Sequence, residues 1–248
     1  MTEPTFLDTP QGRRVAYHKS EGDGPGLVFL GGFRSDMEGT KALHLEEWAR
    51  AEGRAFLRFD YSGHGRSGGR FEDGAIGDWA EDAEAALGLT DGPQILVGSS
   101  MGGWIALLMA KRLPERIKGL VLIAAAPDFT EDSYWNEWSD VMKAKLNREG
   151  RVAVPSDYGD AYMITKRMIE DGRRHLVLRE PLDLPFPVRM LQGTDDTAVD
   201  EGTALRLLHH ARSPDMSLVL VKGADHRFSE PENLDLLAEA VRTVSERP

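Results

Sequence analysis

Three short stretches carry side chains able to break an acyl bond. Gly98-Ser99-Ser100-Met101-Gly102 has the pattern Gly-x-Ser-x-Gly and lies between an apolar run, Gln94-Ile95-Leu96-Val97, and a helix-like run over residues 101–112. In that setting the pentapeptide forms a sharp strand-to-helix turn that lifts the central hydroxyl clear of a sheet, which makes Ser100 the candidate nucleophile. The pattern alone is not specific, because Gly65-Arg66-Ser67-Gly68-Gly69 satisfies it too. That second copy sits in a glycine-rich stretch that reads as loop, so context favours Ser100 over Ser67.

A serine hydroxyl needs a base to take its proton and an acid to orient the base, and on turns of this kind they follow in the order Ser, acid, His. His226 closes Lys222-Gly223-Ala224-Asp225-His226, just beyond an apolar run at 218–221, and is the candidate base. Of the other histidines, His18 and His44 lie upstream on an edge hairpin and a helix, and His209 and His210 on a helix surface. His175 lies in a polar excursion, and His64 in a glycine-rich loop as a packing or supporting residue. The acid is Asp195 or Asp196, adjacent in Gln192-Gly193-Thr194-Asp195-Asp196-Thr197-Ala198-Val199, and only one of the two can face the imidazole. Asp225 adjoins the base and is expected to point to solvent. A tetrahedral oxyanion needs two convergent N–H donors. Met101 N–H follows the nucleophile, and Phe33 N–H follows Gly31-Gly32, a pair that permits close backbone approach or simply forms a turn. Arg34 is either a surface group or a partner for an anionic leaving group.

These residues need a scaffold, and the chain supplies it as alternating short apolar and longer amphipathic runs, the pattern of a mostly parallel sheet with crossover helices. Strands are predicted at 27–30, 55–59, 95–97, 120–124, 188–191 and 218–221, and helices at 39–52, 79–88, 101–112, 203–211 and 233–246, with an antiparallel edge hairpin near residues 14–18. The fold class is therefore α/β, with helices on both faces of the sheet. The alternation breaks over 128–185, too long for an ordinary connection, so a cap insertion with helices of its own is expected there, between core segments 1–127 and 186–248. It holds Phe129, Tyr134, Trp135, Trp138, Met142, Tyr158, Tyr162, Met163 and Met168. Trp135 and Trp138 are the candidates for contact with an acyl chain or aromatic acid, although the same spacing suits core packing.

Composition limits the rest. The 248 residues, 41% hydrophobic, suffice for one large domain with an excursion. Forty-one acidic against thirty basic side chains leave a formal charge of −11, which opposes binding to nucleic acid or anionic lipid. Cysteine is absent, which removes disulfides, thiolate metal sites and a cysteine nucleophile. No histidine or carboxylate pair has metal-ligand spacing, and the loop Asp60-Tyr61-Ser62-Gly63-His64-Gly65-Arg66-Ser67 lacks the lysine of a phosphate cradle, so neither a metal nor a cofactor is expected. The N-terminus has no apolar leader and no run approaches the ~18 residues of a membrane span, from which a soluble, cytoplasmic protein is expected.

The core resembles the α/β-hydrolase superfamily. Gly39-Thr40-Lys41-Ala42, Arg58-Phe59-Asp60-Tyr61-Ser62-Gly63 and the block from Asp91 to Trp104 are similar to one branch, the mitochondrial acyl-protein thioesterases that also cleave acyl glucuronides, with their bacterial relatives. The similarity runs over 31–128 and 191–236 and fades across the excursion. It implies a serine esterase or thioesterase acting on a small-molecule or acylated-protein substrate. The spacing Gly193-x-x-Asp196-x-x-Val199 resembles the family's acid turn and implies Asp196, giving Ser100, Asp196 and His226 as the triad, while some members carry the acid where this chain has Asp128. The chain departs from the family in having Gly31-Gly32 where many members have His-Gly, so the orientation of the oxyanion loop by that histidine does not carry over. No transit segment is apparent, so neither does the mitochondrial address. Other hydrolases of this fold (a lipase-like carboxylesterase, a carbon–carbon hydrolase, a peptidase) and a non-catalytic binding member are the alternatives. Oligomeric state is not implied.

Overall fold

The computed structural model describes residues 3–156 and 159–247. In chain order the regular elements are β1 (Thr5–Asp8), β2 (Arg14–Ser20), β3 (Asp23–Leu30), α1 (Thr40–Ala51), β4 (Arg54–Phe59), α2 (Ile76–Leu87), β5 (Gln94–Ser99), α3 (Met101–Arg112) and β6 (Ile117–Ile123). After these come α4 (Asp140–Glu149), β7 (Arg151–Ser156), β8 (Gly159–Thr165), α5 (Lys166–Gly172), β9 (Leu182–Asp183), β10 (Val188–Gly193), α6 (Glu201–His210), β11 (Ala211–Arg212), β12 (Met216–Val221) and α7 (Pro231–Ser245).

Eight strands form one sheet in the order β1-β2-β4-β3-β5-β6-β10-β12. From β4 to β12 every neighbour is parallel, while β2 runs antiparallel to β4 and to β1. The central strands read as unbroken apolar runs because both faces are covered. On one face α1 and α7 pack through Leu45, Leu237 and Val241; on the other lie Trp79 of α2, Trp104 of α3 and Leu207 of α6. Every residue of α3 from Met101 to Ala110 is buried, as befits a helix covered on its far side as well. Trp104 shows what covers it, since its indole N–H donates to the His175 carbonyl at 3.0 Å.

That cover is the segment after β6. It comprises a wide helical turn at Thr130–Trp135, then α4, the antiparallel hairpin β7–β8, and α5. It carries the hairpin in addition to helices; Tyr158 lies outside the described residues. Its neck is closed by one carboxylate. Asp128 is fully buried with φ 60°, and it accepts the N–H groups of Val177 and Leu178 at 2.8 and 3.0 Å and a contact from Arg179 at 3.2 Å. Burial pushes this carboxyl up, and the two N–H bonds and Arg179 oppose the rise. A second tie joins α5 to α2, where Asp171 accepts Gly77 N–H at 2.7 Å and Arg167 forks onto Asp78 at 2.6 and 3.0 Å.

Candidate active site

Ser100 sits at the sharp junction of β5 and α3 with φ 55° and ψ −119°. A non-glycine residue in such a sparsely populated region costs about 1–3 kcal/mol and persists only where neighbours hold it. Three backbone bonds do so: Ser100 N–H to Ile123 O at 2.9 Å, and Gly103 and Ala126 N–H to Ser100 O at 2.9 and 3.1 Å. The flanking glycines are required by space. A Cβ at Gly98 would lie 2.5 Å from Gly102 O, and one at Gly102 would lie 2.0 Å from Leu30 O. The serine side chain is thereby turned out of the sheet.

Two loops at the same edge of the sheet complete the cluster. The loop after β12 brings the His226 imidazole, whose Nε2 lies 3.2 Å from Ser100 Oγ, and the loop after β10 brings Asp196, whose Oδ2 accepts from His226 Nδ1 at 2.8 Å. Because a carboxylate only accepts here, Nδ1 carries the ring proton and Nε2 is bare toward the hydroxyl. Asp196 is 8% exposed, and its Oδ1 accepts Ala198 and Val199 N–H at 2.9 and 2.8 Å. Burial alone would raise this carboxyl; the bond and charge of His226 and the two N–H groups outweigh it and hold the group below its ordinary range.

The neighbouring acids lie elsewhere. Asp195 is exposed and takes the Thr194 hydroxyl, Asp225 is exposed and caps Phe228 N–H, and Asp128 is spent on the neck. Ser67 is likewise occupied, accepting Ala16 N–H at 2.8 Å and donating to Asp60 O at 2.6 Å.

Above Ser100 opens a cavity of about 460 Å³. Gly32, Phe33 and Arg34 line one side, and the backbone there runs close to the serine, since a Cβ on Gly32 would lie 3.4 Å from Ser100 Cβ. Met101 N–H opens α3, where no intrahelical acceptor exists. Phe33 N–H meets no acceptor within the protein among the described residues. Arg34 also lines the cavity, with its guanidinium 5.3 Å from the Phe71 ring and 5.8 Å from the Tyr162 ring and no carboxylate partner among the described residues.

The far wall is aromatic and comes from the 128–185 segment: Phe129, Tyr134 and Tyr162 line it, and Phe33 packs edge-on against Phe129 and Tyr162. Here the expectation for Trp135 and Trp138 needs correcting, because neither lines the cavity. Trp135 lies under the Arg173 and Lys143 cations, and Trp138 stacks behind Tyr134 with ring centroids 5.5 Å apart. The wide turn sends Ser133 and Tyr134 toward the cavity and Trp135 away from it.

Two supporting residues gave no sequence signal. Gln192, fully buried at the end of β10, donates to the same Asp196 oxygen that receives His226, at 3.0 Å. Lys41, from the first turn of α1, lines the cavity and donates to the carbonyl of Arg227 beside the imidazole. Burial pushes its amine down to about 8, with Asp225 opposing that fall.

Comparison with known proteins bears on the cluster's chemistry. The family model for serine aminopeptidase, S33, matches residues 27–168. Human palmitoyl-protein thioesterase ABHD10, mitochondrial, is 36% identical over 243 residues, which is 97% of this chain and 79% of the relative. The chain is an α/β hydrolase. Within that fold it belongs to the S33 family, and its chemistry is hydrolysis of carboxylic ester or thioester bonds. Among solved structures, a putative hydrolase from Agrobacterium vitis S4 superposes with a TM-score of 0.94 at 40% identity, covering 98% of this chain and 99% of that one. Mouse alpha/beta hydrolase domain-containing protein 10 superposes with a TM-score of 0.91 at 32% identity, covering 98% of each. No helix among the described residues is long and apolar enough to cross a membrane.

Proposed function

We propose that this α/β hydrolase removes acyl groups from thioesters and esters through an acyl-enzyme on Ser100. The observation that carries this is the continuous relay Asp196 Oδ2, His226, Ser100 Oγ, with contacts of 2.8 and 3.2 Å, at the floor of an aromatic-walled cavity. In the first step Ser100 Oγ attacks the acyl carbon while His226 Nε2 takes its proton. Asp196 balances the imidazolium and holds the tautomer, and Phe33 and Met101 N–H receive the oxyanion. His226 then protonates the leaving thiol or alcohol and activates the water that clears the acyl-enzyme.

The 128–185 segment acts as the cap in this scheme, its Phe129, Tyr134 and Tyr162 rings forming an apolar seat for the acyl chain. An acylated protein is the natural large substrate, in keeping with the thioesterase activity named for the ABHD10 relatives. Arg34 supports an anionic group on the leaving side, because its guanidinium faces the cavity without a carboxylate partner among the described residues.

A fluorophosphonate probe tests the nucleophile: the native chain should be labelled and Ser100→Ala should not. A series of p-nitrophenyl esters of rising chain length, run beside acyl thioesters and an acyl glucuronide, then ranks substrates. Labelling that survives Ser100→Ala would overturn the proposal.

A further inference from the structure

The oxyanion loop has no histidine at Gly31-Gly32, yet its backbone is held on both sides of Phe33. On the upstream side the Gly32 carbonyl accepts Ser35 N–H at 3.2 Å and the Ser35 hydroxyl at 2.9 Å. In a trans peptide the N–H points opposite to the carbonyl, so fixing Gly32 O also aims Phe33 N–H. On the downstream side Arg34 adopts φ 57°, a left-handed conformation that any side chain with a Cβ disfavours, and its N–H is received by His64 Nε2 at 3.2 Å.

His64 is 4% exposed and enclosed by the Tyr61, Phe71 and Trp79 rings. Its Nδ1 lies 3.2 Å from the Ser62 carbonyl, which can only accept, so Nδ1 carries the proton and Nε2 is free to receive Arg34 N–H. Two bonds thus define one neutral tautomer. We infer that His64 is a positioning residue for the oxyanion site: as a neutral acceptor on a different loop, it locks Arg34 in its left-handed conformation and so holds Phe33 N–H toward the acyl oxygen. The environment keeps the ring neutral, burial pushing it down to about 4 with the Arg34 charge in the same direction and the Ser62 carbonyl opposing. Arg34 and the Tyr61 phenol are the charged and titratable groups that face it.

This role rests on Phe33 N–H being an oxyanion donor, and the experiment separates the two claims. His64→Phe keeps a ring and removes the acceptor, whereas His64→Gln offers an amide oxygen in its place. His64→Phe should lower kcat about 10–100-fold with KM within about threefold, below the loss from deleting a donor outright. A boronic acid that forms a tetrahedral adduct on Ser100 should bind more weakly by the same factor, and His64→Gln should recover most of the rate. A native rate in His64→Phe, or equal losses in the Phe and Gln variants, would overturn the role while an inactive Ser100→Ala leaves the hydrolase mechanism standing. Should His64→Phe fail to fold, nitrogen-15 NMR of the histidine-labelled native protein decides: a His64 proton on Nδ1 at pH 6 supports the role, and one on Nε2 excludes it.

Discussion

The chain contains the pattern Gly-x-Ser-x-Gly twice, and the two copies do opposite things. Around Ser100 the glycines let β5 turn directly into a buried helix, and the hydroxyl is left facing an imidazole. Around Ser67 no strand precedes and no helix follows, so the hydroxyl turns inward and stitches β2 to the end of β4. Reactivity therefore comes from the elements that hold a residue, not from its neighbours in sequence. The same holds for the acids: Asp196 meets the histidine that faces Ser100, while Asp128 meets backbone N–H groups and Arg179, and Asp171 meets Gly77 N–H, Arg174 and His175.

The sharpest test pairs the serines. Ser100→Ala should reduce kcat on a p-nitrophenyl ester by about 10⁴-fold or more. Ser67→Ala should leave kcat within about twofold and lower unfolding stability by roughly 1–2 kcal/mol in urea, through two lost hydrogen bonds. Comparable kinetic losses in the two variants would erase the distinction. The acids come next. Asp196→Asn should cost about 10²–10⁴-fold in kcat through the wrong histidine tautomer, and Asp195→Asn less than about threefold. A reversal would move the acid by one residue.

The pairings that answer the serine and the acids were unequally legible. Ser100, Asp196 and His226 each follow an apolar strand: β5 and β10 are buried along their whole length and have no choice but to be apolar, β12 is apolar though half-exposed at the sheet edge, and all three runs are readable. The hairpin of β7 and β8 was not, since Pro155 lies inside one strand and Gly159 opens the other, both of which argue locally against a sheet. Nor does sequence contain the direction of a side chain on an irregular turn. Trp135 and Trp138 have the right chemistry and do not line the cavity, while Tyr134, stacked on Trp138, does. Single side-chain contacts, such as His64 with Arg34, Lys41 with Arg227 or Gln192 with Asp196, have no period to betray them.

A subtler version of the comparison uses acid. Burial alone would raise Asp171, but His175, Gly77 N–H and Arg174 together pull it down to about 2. A carboxyl held below its unfolded value adds stability that is complete above pH ~5 and lost as pH falls toward 2, here of order 2 kcal/mol. Asp171→Asn should flatten the stability curve between those limits without removing activity at neutral pH. An unchanged curve would mean that the tie between α5 and α2 contributes nothing. The smallest effect belongs to the cavity wall: Tyr134→Ala should raise KM for long-chain esters about tenfold, and Trp138→Ala clearly less, because Tyr134 lines the cavity and Trp138 only stacks behind it. Equal shifts would place Trp138 in the seat after all.

Asp128 closes a chord between residues 49 positions apart in the chain. Both ends of the intervening segment are thereby fastened beside β6, and its interior is tied separately to α2 and α3 rather than to the strands. In the cap role proposed above, the segment would be a cassette: lengthened, shortened or rewritten between its anchors, it would retune which acyl group is welcomed while the relay beneath is kept.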